Sequence, residues 1–335
     1  MKRKSLVLIA ALVMTMGLCF GQAFAAPLKL IAAHVLDTEH PVHLGFVEMD
    51  RLLKEKSGGQ IVLDIFPNSQ LGDEDSILNA LRIGGSVDLT APSAAPLQAY
   101  AKEFLVCDFP YAFTNYDQVW AFYDGEMGKY LYSKLEGSGI KGIAWWDNGF
   151  RNFTTTKKEI HTPADLKGMK MRTMNAPVHM AYVNALGAAA TPIPYGELYS
   201  ALQQGVVDGE ENPVANIYGS KFFEVQKYII MDRHVHDPSP LLISQKTWNK
   251  LSAEQKEIME KAAIEAGVYM RAKSEELEAG NLKKLTDAGM TVINLTPEQA
   301  KMFQDATKDV YKAFIKETGQ EAVDLYLKSL EAVRK

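Results

Sequence analysis

The sequence predicts an α/β fold of two lobes, each with a mixed sheet and flanking helices. Its 335 residues are enough for two domains of ordinary size. Strand-length and helix-length patterns alternate near the start of the chain, which is typical of parallel strands joined by covering helices. No low-complexity linker or fixed-period repeat separates the two halves. The lobes are therefore expected to be joined by segments that cross between packed layers.

The first part of the chain has the clearest alternation. Its predicted elements are a strand over 28–35, a helix over 41–56, a strand over 61–66, a helix over 73–83 and a strand over 87–91. Apolar residues at helical spacing, such as Leu44 and Val47, define the first helix, which should end before Gly58. Asp73 and the two acids after it favour a helix N-terminus, because they oppose the helix dipole.

Later elements are predicted by the same criteria. They are a helix over 116–135, strands over 140–146 and 169–172, helices over 178–186 and 196–204, a helix from Ser252 to about 288, and a mostly helical tail over 297–333. Ser252 suits an N-cap, and Gly267 and Gly280 interrupt the helix that follows only mildly. A helix of roughly 35 residues spans about 50 Å. It should therefore lie across both lobes.

The N-terminus has the three parts of a secretory signal peptide. A basic region over 1–4 precedes an apolar run over 5–20, which is short for a membrane span. Ala23-Phe24-Ala25 is a small-x-small cleavage site. We expect a signal peptide over 1–25 and export of the mature chain, with an uncleaved membrane anchor as the alternative.

Composition argues against several kinds of function. The formal net charge is −5 at pH 7, and loss of the basic signal region would make the chain more acidic. An acidic chain is a poor partner for nucleic acid or an anionic membrane. Cys19 lies in the predicted signal and leaves Cys107 alone, so no intrachain disulfide is expected. Cys107 lies in an apolar run, which favours the role of a small buried hydrophobic residue.

No set of residues indicates catalysis or a bound metal. Residues 137–142 match G-x-G-x-x-G, but they precede a predicted strand, whereas a dinucleotide fingerprint follows a strand and opens a helix. The pairs His40/His43 and His234/His236 lack further ligands at zinc spacing. No P-loop or G-x-S-x-G elbow is present. We therefore expect no enzymatic activity, no cofactor and no metal.

Arg172 is the residue on which a binding site can be built. It ends a predicted strand bounded by Gly168 and by the turn at 175–177. A side chain at a strand end faces the crevice in which open α/β sheets bind ligands. The planar guanidinium group matches a carboxylate bidentately. On residue type alone, a surface arginine or a structural ion pair is the more common role.

Three stretches around Arg172 carry a resemblance to a known family. They read Gly-Phe-Arg over 149–151, Thr-Pro-Ala-Asp-Leu-Lys-Gly-Met-Lys-Met-Arg over 162–172, and Glu-Leu-Tyr-Ser-Ala-Leu-Gln-Gln-Gly-Val-Val-Asp-Gly-Glu-Glu-Asn-Pro over 197–213. Over nearly the whole mature length, the chain resembles the DctP-type substrate-binding proteins of TRAP transporters. The resemblance implies a periplasmic-binding-protein fold, a small carboxylate ligand in the cleft between lobes, and membrane permease subunits as partners.

The same resemblance assigns roles and lobes. Arg172 would clamp the ligand carboxylate, Asn212 would also reach it, and Arg151 would be the second arginine of the pocket. The lobes are expected to comprise residues 26–149 with 237–277, and residues 150–236 with 278–335.

Five further residues are candidates for the pocket. Glu74 matches a position where family members often carry a pocket carboxylate, which as an acceptor would bind a ligand hydroxyl. A helix-start acid facing water is an equally open role for it. Asp147 and Asn148 lie close enough in sequence to the pocket arginines to touch ligand. His34, at the end of the first strand, either reaches the crevice or packs in the core, and Tyr195 could wall the pocket with its ring.

These candidates favour a polyhydroxylated acid, such as a uronate or aldonate, over an apolar keto acid. A C4-dicarboxylate is the alternative, since Arg151 and Arg172 could serve two acids. A receptor that passes its closed state to a sensor would have the same sequence features. The mature protein is expected to be a monomer in the periplasm.

Overall fold

The computed structural model describes residues 26–335, and the predicted signal peptide lies outside them. The strands of the described part are β1 (Leu28–Ala33), β2 (Ile61–Phe66), β3 (Leu89–Thr90), β4 (Ile140–Thr155), β5 (Lys170–Thr173), β6 (Ala189–Pro192), β7 (Gly209–Pro213), β8 (Tyr228–Ser244) and β9 (Thr291–Ile293). They pair in the order β2-β1-β3-β8-β4-β7-β5-β6, and β9 pairs with β8.

Helices connect and flank these strands. They are α1 (Pro41–Lys56), α2 (Glu74–Ile83), α3 (Tyr116–Tyr123), α4 (Glu126–Lys134), α5 (Pro177–Ala185), α6 (Leu198–Gln203), α7 (Val214–Gly219), α8 (Gln245–Lys250), α9 (Ala253–Asp287), α10 (Pro297–Thr307), α11 (Val310–Thr318) and α12 (Gln320–Val333). Short 3₁₀ turns include Ala95–Ala99 and Tyr195–Glu197. Within residues 26–335, no helix combines the length and the apolar character needed to cross a bilayer.

Two long antiparallel strands, β4 and β8, connect two groups of strands. At one end, Ile140 pairs with Ser244 beside β3, β1 and β2, and the β1–β2 and β1–β3 pairs are parallel as predicted. At the other end, β4 pairs with β7, which lies beside the parallel pair β5–β6. The register shifts between Asp147 and Gly149, where Gly149 has a φ of 116°. The strands therefore bend between the two groups, and the exact lobe boundaries stay a prediction.

The long helix α9 packs along both groups. It begins with a capping box in which Ser252 and Gln255 exchange hydrogen bonds between side chain and backbone. Its first half, including Met259 and Met270, belongs to the main hydrophobic core, whereas Leu285 near its end belongs to a second cluster that includes residues of α6 and α7 and Ile229 of β8. The predicted helix of about 35 residues is confirmed at 35 residues, and its core contacts extend over both groups of strands.

Some predicted boundaries were wrong. The predicted helix over 116–135 is two helices, because the chain turns at Gly125, where a Cβ atom would sit 2.7 Å from the Ala121 carbonyl oxygen. The strand predicted to stop at Trp146 continues to Thr155. It continues through Asp147 and Gly149 because they pair with Pro238 and Asp237 of β8.

Gly209 holds β7 close to its neighbours. A Cβ atom there would sit 2.1 Å from the Thr154 carbonyl oxygen and 2.8 Å from Met171 Cε. We expect Gly209→Ala to force these strands apart and to lower the free energy of unfolding by about 3 kcal/mol, as in overpacked cores. Denaturant unfolding followed by circular dichroism measures this change.

Gly280→Ala in α9 is the matched control. A Cβ atom at Gly280 meets nothing within 4 Å, and alanine favours a helix over glycine by about 1 kcal/mol. This variant should be as stable as the wild type or more stable. Equal loss of stability in both variants would contradict the steric argument for Gly209.

Candidate functional site

Two adjoining cavities lie where β4 and β8 bend. The inner cavity has a volume of about 20 Å³, and the outer cavity has a volume of about 250 Å³. Residues common to both walls are Glu74, Arg172, Met174 and Tyr195. The inner cavity is lined mainly by polar side chains, of which Asn148, Arg151 and Ser239 come from the bent strands. The outer cavity is lined by the first turn of α2 and by the end of β6 with the segment that follows it. A molecule that touches Arg172 can therefore extend from one cavity into the other.

Arg172 is buried with part of its hydrogen-bonding capacity unused. It lies in β5 opposite Thr191 of β6, and its side chain is 2 % exposed. Its Nε donates to the Ile193 carbonyl oxygen at 2.9 Å, whereas its buried Nη1 has no partner among the described residues. Burial and the nearby Arg151 guanidinium lower the pKa of Arg172. A buried donor without an acceptor is costly, so an anion beside Arg172 would relieve that cost.

Arg151 is also buried, but two carboxylates already neutralise it. Its Nε and Nη2 donate to Glu211 Oε2 and Oε1 at 2.5 and 2.9 Å, and its Nη1 donates to Asp237 Oδ2 at 2.8 Å. Burial opposes its charge, but Glu211 and Asp237 raise the pKa of Arg151 well above its usual value. Arg151 lines the inner cavity with one N–H of Nη1 to spare.

Glu211 connects Arg151 to two buried histidines behind the cavity. His234 Nε2 lies 3.2 Å from Glu211 Oε2, and His179 Nδ1 lies 3.5 Å from Glu211 Oε1. On their other sides the histidines face carboxylates, His234 at Asp232 and His179 at Asp108. Burial acts against the charged imidazoles, but these carboxylates raise the pKa of His179 to about 9 and raise that of His234. Arg151 and Glu211 therefore belong to a buried network in which basic and acidic side chains face each other.

Asp237, which the sequence analysis missed, organises three side chains of the inner cavity. It accepts hydrogen bonds from Arg151 Nη1, from Asn148 Nδ2 at 2.8 Å and from Ser93 Oγ at 2.6 Å. These donors come from β4 and from the loop after β3, while Asp237 itself lies in β8. The available signal was its position at the predicted lobe boundary between residues 236 and 237. An acid that is buried at such a boundary is expected to have a paired partner.

Asn148 and Asn212 present different groups to the inner cavity. Asn148 is 7 % exposed, and its Oδ1 has no partner among the described residues, so it can accept a hydrogen bond. Asn212 donates from Nδ2 to Glu210 Oε2 at 2.5 Å, and Thr154 Oγ1 donates to Glu210 Oε1 at 2.6 Å. Glu210 thus fixes the orientation of the Asn212 amide.

Glu74 stands at the boundary of the two cavities. It begins α2, is half-buried, and accepts a hydrogen bond from the Ser93 backbone N–H at 2.9 Å. Burial, together with the Asp237 charge, raises the pKa of Glu74 to about 7, although Arg172 and the Ser93 hydrogen bond oppose the shift. Its remaining acceptor positions are available to a ligand hydroxyl.

Tyr195 walls both cavities, as its predicted role requires. Its hydroxyl forms a 2.6 Å hydrogen bond with Ser220 Oγ, which leaves the ring as its contact surface. Asn216, which the sequence analysis missed, also lines the inner cavity, and its Oδ1 accepts from His40 Nε2 at 3.0 Å. This bond ties the start of α1 to α7 across the cleft.

The structure does not bring His34 and Asp147 to either cavity. His34 stacks on Phe46 with ring centroids 5.7 Å apart and forms a 3.1 Å hydrogen bond with His43. Burial lowers the pKa of His34 to about 3. Asp147 is fully buried and accepts from His236 Nε2 at 2.8 Å and from Ser274. Asp147 follows the alternation of β4, in which successive side chains face opposite ways, and His34 lies just after β1 with its ring buried in the core.

The surroundings of the histidines and of Cys107 indicate structural roles. Among residues 26–335, no group of three or more His, Cys, Asp and Glu is arranged to hold a metal ion. Cys107 is a buried free thiol, and burial raises its pKa well above the usual range. A thiol that remains protonated is a weak nucleophile.

Comparison with known proteins identifies the family. The family model for bacterial extracellular solute-binding proteins, family 7 (DctP), matches residues 32–318. This chain belongs to that family. DctP proteins are solute-binding components of TRAP transporters, and they bind substrates rather than convert them. The resemblance noted in the sequence is confirmed.

Similar proteins bind different small acids. This DctP-family chain is 32% identical over 327 residues to the C4-dicarboxylate-binding periplasmic protein DctP of Vibrio cholerae, covering 97% of this chain and 98% of that protein. It is 32% identical over 293 residues to the 2,3-diketo-L-gulonate-binding periplasmic protein of Escherichia coli, covering 87% and 88%. The sugar acid binding protein DctPAm from Advenella mimigardefordensis, solved with galactonate, has a TM-score of 0.89 and 30% identity, covering 92% and 99%. The predicted two-lobed fold is confirmed.

Burial of Glu210 predicts a pH-dependent stability. Burial raises the pKa of Glu210 to about 7, despite the hydrogen bonds from Thr154 and Asn212. The folded state therefore holds the proton more tightly than the unfolded state, and stability falls as pH rises from about 4.5 to 7. We expect the melting temperature of Glu210→Gln, compared with that of the wild type, to be more favourable at pH 8 than at pH 5. The difference in unfolding free energy is up to about 3 kcal/mol.

Glu136→Gln, at an exposed position, is the control for the loss of one negative charge. A glutamine at 210 keeps an acceptor for Asn212, and its amide can donate to Thr154. The same pH profile for the wild type and Glu210→Gln in differential scanning calorimetry would contradict the assignment.

Proposed function

We propose that this protein is the periplasmic component of a TRAP transporter that captures a sugar acid, such as a uronate or aldonate, and delivers it to the membrane permease. The observation that carries the proposal is the buried Nη1 of Arg172 beside the cavities, which has no hydrogen-bond partner in the described part of the chain. The family supports a periplasmic location and a permease partner. The proposal treats the mature protein as a monomer.

The ligand carboxylate is proposed to enter the inner cavity. Arg172 Nη1, the spare N–H of Arg151 and the second N–H of the Asn212 amide are the donors available there. A volume of about 20 Å³ holds one small group, since a water needs about 10–15 Å³ by the same measure. Charge-assisted hydrogen bonds contribute roughly 1.5–3 kcal/mol each, so this donor set is sufficient for a firm clamp.

The charges around the site favour one carboxylate and several hydroxyls. Arg151 is neutralised by Glu211 and Asp237, so Arg172 is the cation left for an anionic ligand. Glu74 and the Oδ1 of Asn148 are acceptors, which suit hydroxyl donors and disfavour a second carboxylate. The galactonate complex of the Advenella protein supports the same class of ligand. A C4-dicarboxylate is therefore the less favoured candidate.

Arg172 provides the direct test of the clamp. We expect Arg172→Ala to abolish the thermal stabilisation that a bound sugar acid gives, and Arg172→Lys to weaken it strongly, because lysine cannot form the bidentate fork. A ligand at a hundredfold its Kd adds about 2.7 kcal/mol to stability. Differential scanning fluorimetry against galactonate, gluconate, galacturonate, glucuronate and succinate measures the shift.

The exposed salt-bridged Arg51 provides the matched control, as Arg51→Ala. The protein must first be unfolded and refolded to remove any co-purified ligand. Unaltered stabilisation by an acid in Arg172→Ala would refute the clamp. Failure of every acid to stabilise refolded wild-type protein would refute the proposed ligand class.

Glu74 distinguishes the two ligand classes. Glu74→Gln weakens the acceptance of ligand hydroxyls, so galactonate or galacturonate affinity should fall by about tenfold, equivalent to about 1.4 kcal/mol. The same change removes a negative charge that would repel the second carboxylate of succinate. Succinate affinity should stay the same or rise. Isothermal titration calorimetry at pH 8, where Glu74 is largely ionised, gives both values.

Glu254→Gln, in the first turn of α9, is the matched control. A larger loss for succinate than for the sugar acids in Glu74→Gln would reverse the preference between the two ligand classes.

A further inference from the structure

We infer that Asn148 selects 2-hydroxy acids, so that the ligand is an aldonate rather than a uronate. Asn148 Oδ1 accepts a hydrogen bond from the hydroxyl on C2, the carbon next to the ligand carboxylate. This inference rests on the proposed function, because it takes the carboxylate to be held at Arg172. It deepens that function by naming the second ligand group that the inner cavity recognises.

The inner cavity is lined by two residues with buried groups of opposite hydrogen-bonding character. Arg172 Nη1 is a donor and Asn148 Oδ1 is an acceptor, and neither has a partner within residues 26–335. A buried polar group without a partner is costly. A carboxylate supplies acceptors only, so it pairs with Arg172 and leaves Asn148 unpaired. A ligand that also brings a donor removes both costs.

Neighbouring residues fix which end of the Asn148 amide is free. Its Nδ2 donates to Asp237 Oδ2 at 2.8 Å, and the same oxygen accepts from Arg151 Nη1 at 2.8 Å. An ionised carboxylate can only accept, so the reverse orientation of the amide would set two acceptors against each other. Asn148 therefore keeps its carbonyl oxygen free, and the partner of that oxygen must be a donor.

The small volume of the inner cavity places the two ligand groups next to each other. A volume of about 20 Å³ has room for at most about two water-sized groups, since one water needs at least about 10–15 Å³ by the same measure. A carboxylate oxygen and a hydroxyl on C2 are such a pair, and every aldonate carries them. In a cyclic uronate the carbon next to the carboxylate bears the ring oxygen instead, which cannot donate.

Asn216 favours a hydroxyl over an ammonium group as the donor on C2. Burial lowers the pKa of His40, and the neutral ring accepts from the Val42 backbone N–H at Nδ1, so its proton lies on Nε2. Nε2 donates to Asn216 Oδ1, which leaves the Asn216 Nδ2 donor to the inner cavity that this residue lines. A hydroxyl oxygen can accept from Asn216 while it donates to Asn148, whereas an ammonium group has no lone pair.

Acids that differ only at C2 test the selection on the wild-type protein. Isothermal titration calorimetry on unfolded and refolded mature protein would compare D-galactonate and D-gluconate with their 2-deoxy and 2-deoxy-2-fluoro forms. Fluorine keeps the size of the hydroxyl but cannot donate. An unpaired Asn148 Oδ1 should weaken binding roughly ten- to hundredfold, so each altered acid should bind at least about tenfold more weakly than its parent. Galacturonate and glucuronate should bind at least about tenfold more weakly than the tighter aldonate.

Asn148→Leu tests whether Asn148 is the residue that selects at C2. Leucine keeps the size of the side chain and removes the acceptor, so the preference for the parent acid over its 2-deoxy form should fall below about threefold. A purely structural role would weaken both acids equally and leave their ratio unchanged. Should this variant fail to fold, the comparison of acids on the wild type still decides the inference.

Asn281→Leu is the matched control. Asn281 is a similarly buried asparagine in α9, and it lies against Lys284 rather than in the lining of either cavity. The ratio of parent to 2-deoxy affinity in Asn281→Leu should equal that of the wild type. Loss of the preference in both variants would contradict the role of Asn148.

Two further comparisons use other acids. 2-Amino-2-deoxy-D-gluconate carries an ammonium group at C2 and should bind at least about tenfold more weakly than D-gluconate. Malate and succinate differ by one hydroxyl at C2, so at least one enantiomer of malate should bind about tenfold more tightly than succinate, even if both bind weakly.

The outcomes separate the inference from the proposed function. If the 2-deoxy or 2-fluoro acids bind as tightly as their parents, or if a uronate binds more tightly than both aldonates, selection by Asn148 is refuted while the sugar-acid function stands. Tighter binding of the 2-amino acid than of gluconate would overturn the hydroxyl assignment. If only the dicarboxylates bind, the sugar-acid function fails, and a preference for malate over succinate still supports selection at C2. If no acid binds, both fail.

Discussion

The buried ion pairs of Arg151 are the constraint on which the rest of the site depends. Arg151, Glu211 and Asp237 are each at most 1 % exposed, and a buried charge is tolerated only when it is paired and hydrogen-bonded. These three residues come from β4, β7 and β8. Their pairing fixes the three strands relative to one another at the bend, since removal of one partner would leave a buried charge at a cost of about 3–5 kcal/mol.

Arg151 is committed to structural ion pairs, whereas Arg172 has hydrogen-bonding capacity to spare. One guanidinium is neutralised by carboxylates, and the other keeps a buried donor that has no partner within residues 26–335. The surrounding carboxyl groups Glu74 and Glu210 are shifted towards neutrality by burial. Arg172 thus supplies local positive charge within an acidic protein, and a pocket needs only local positive charge to accept an anion.

The two groups of strands are connected by elements that run through both. The strands β4 and β8 are shared, and α9 contributes to the main core and to the second cluster. Small residues make the helix contact close, because a Cβ atom on Gly267 would sit 3.1 Å from the Trp146 ring. The His40–Asn216 hydrogen bond adds a polar link across the cleft beside the inner cavity.

The sequence by itself determined the fold class, the family and the long helix, because hydrophobic spacing, caps and the motif strings are local properties. It also selected Arg172, Arg151, Asn212, Glu74, Asn148 and Tyr195, all of which line a cavity. Only the tertiary structure decided that Asp147 and His34 face the core, and that Arg151 is neutralised by Glu211 and Asp237. The contacts of Arg151 and Asp147 depend on partners about 60 to 90 residues apart in the chain, and the register shifts of β4 decide which of its side chains line the inner cavity.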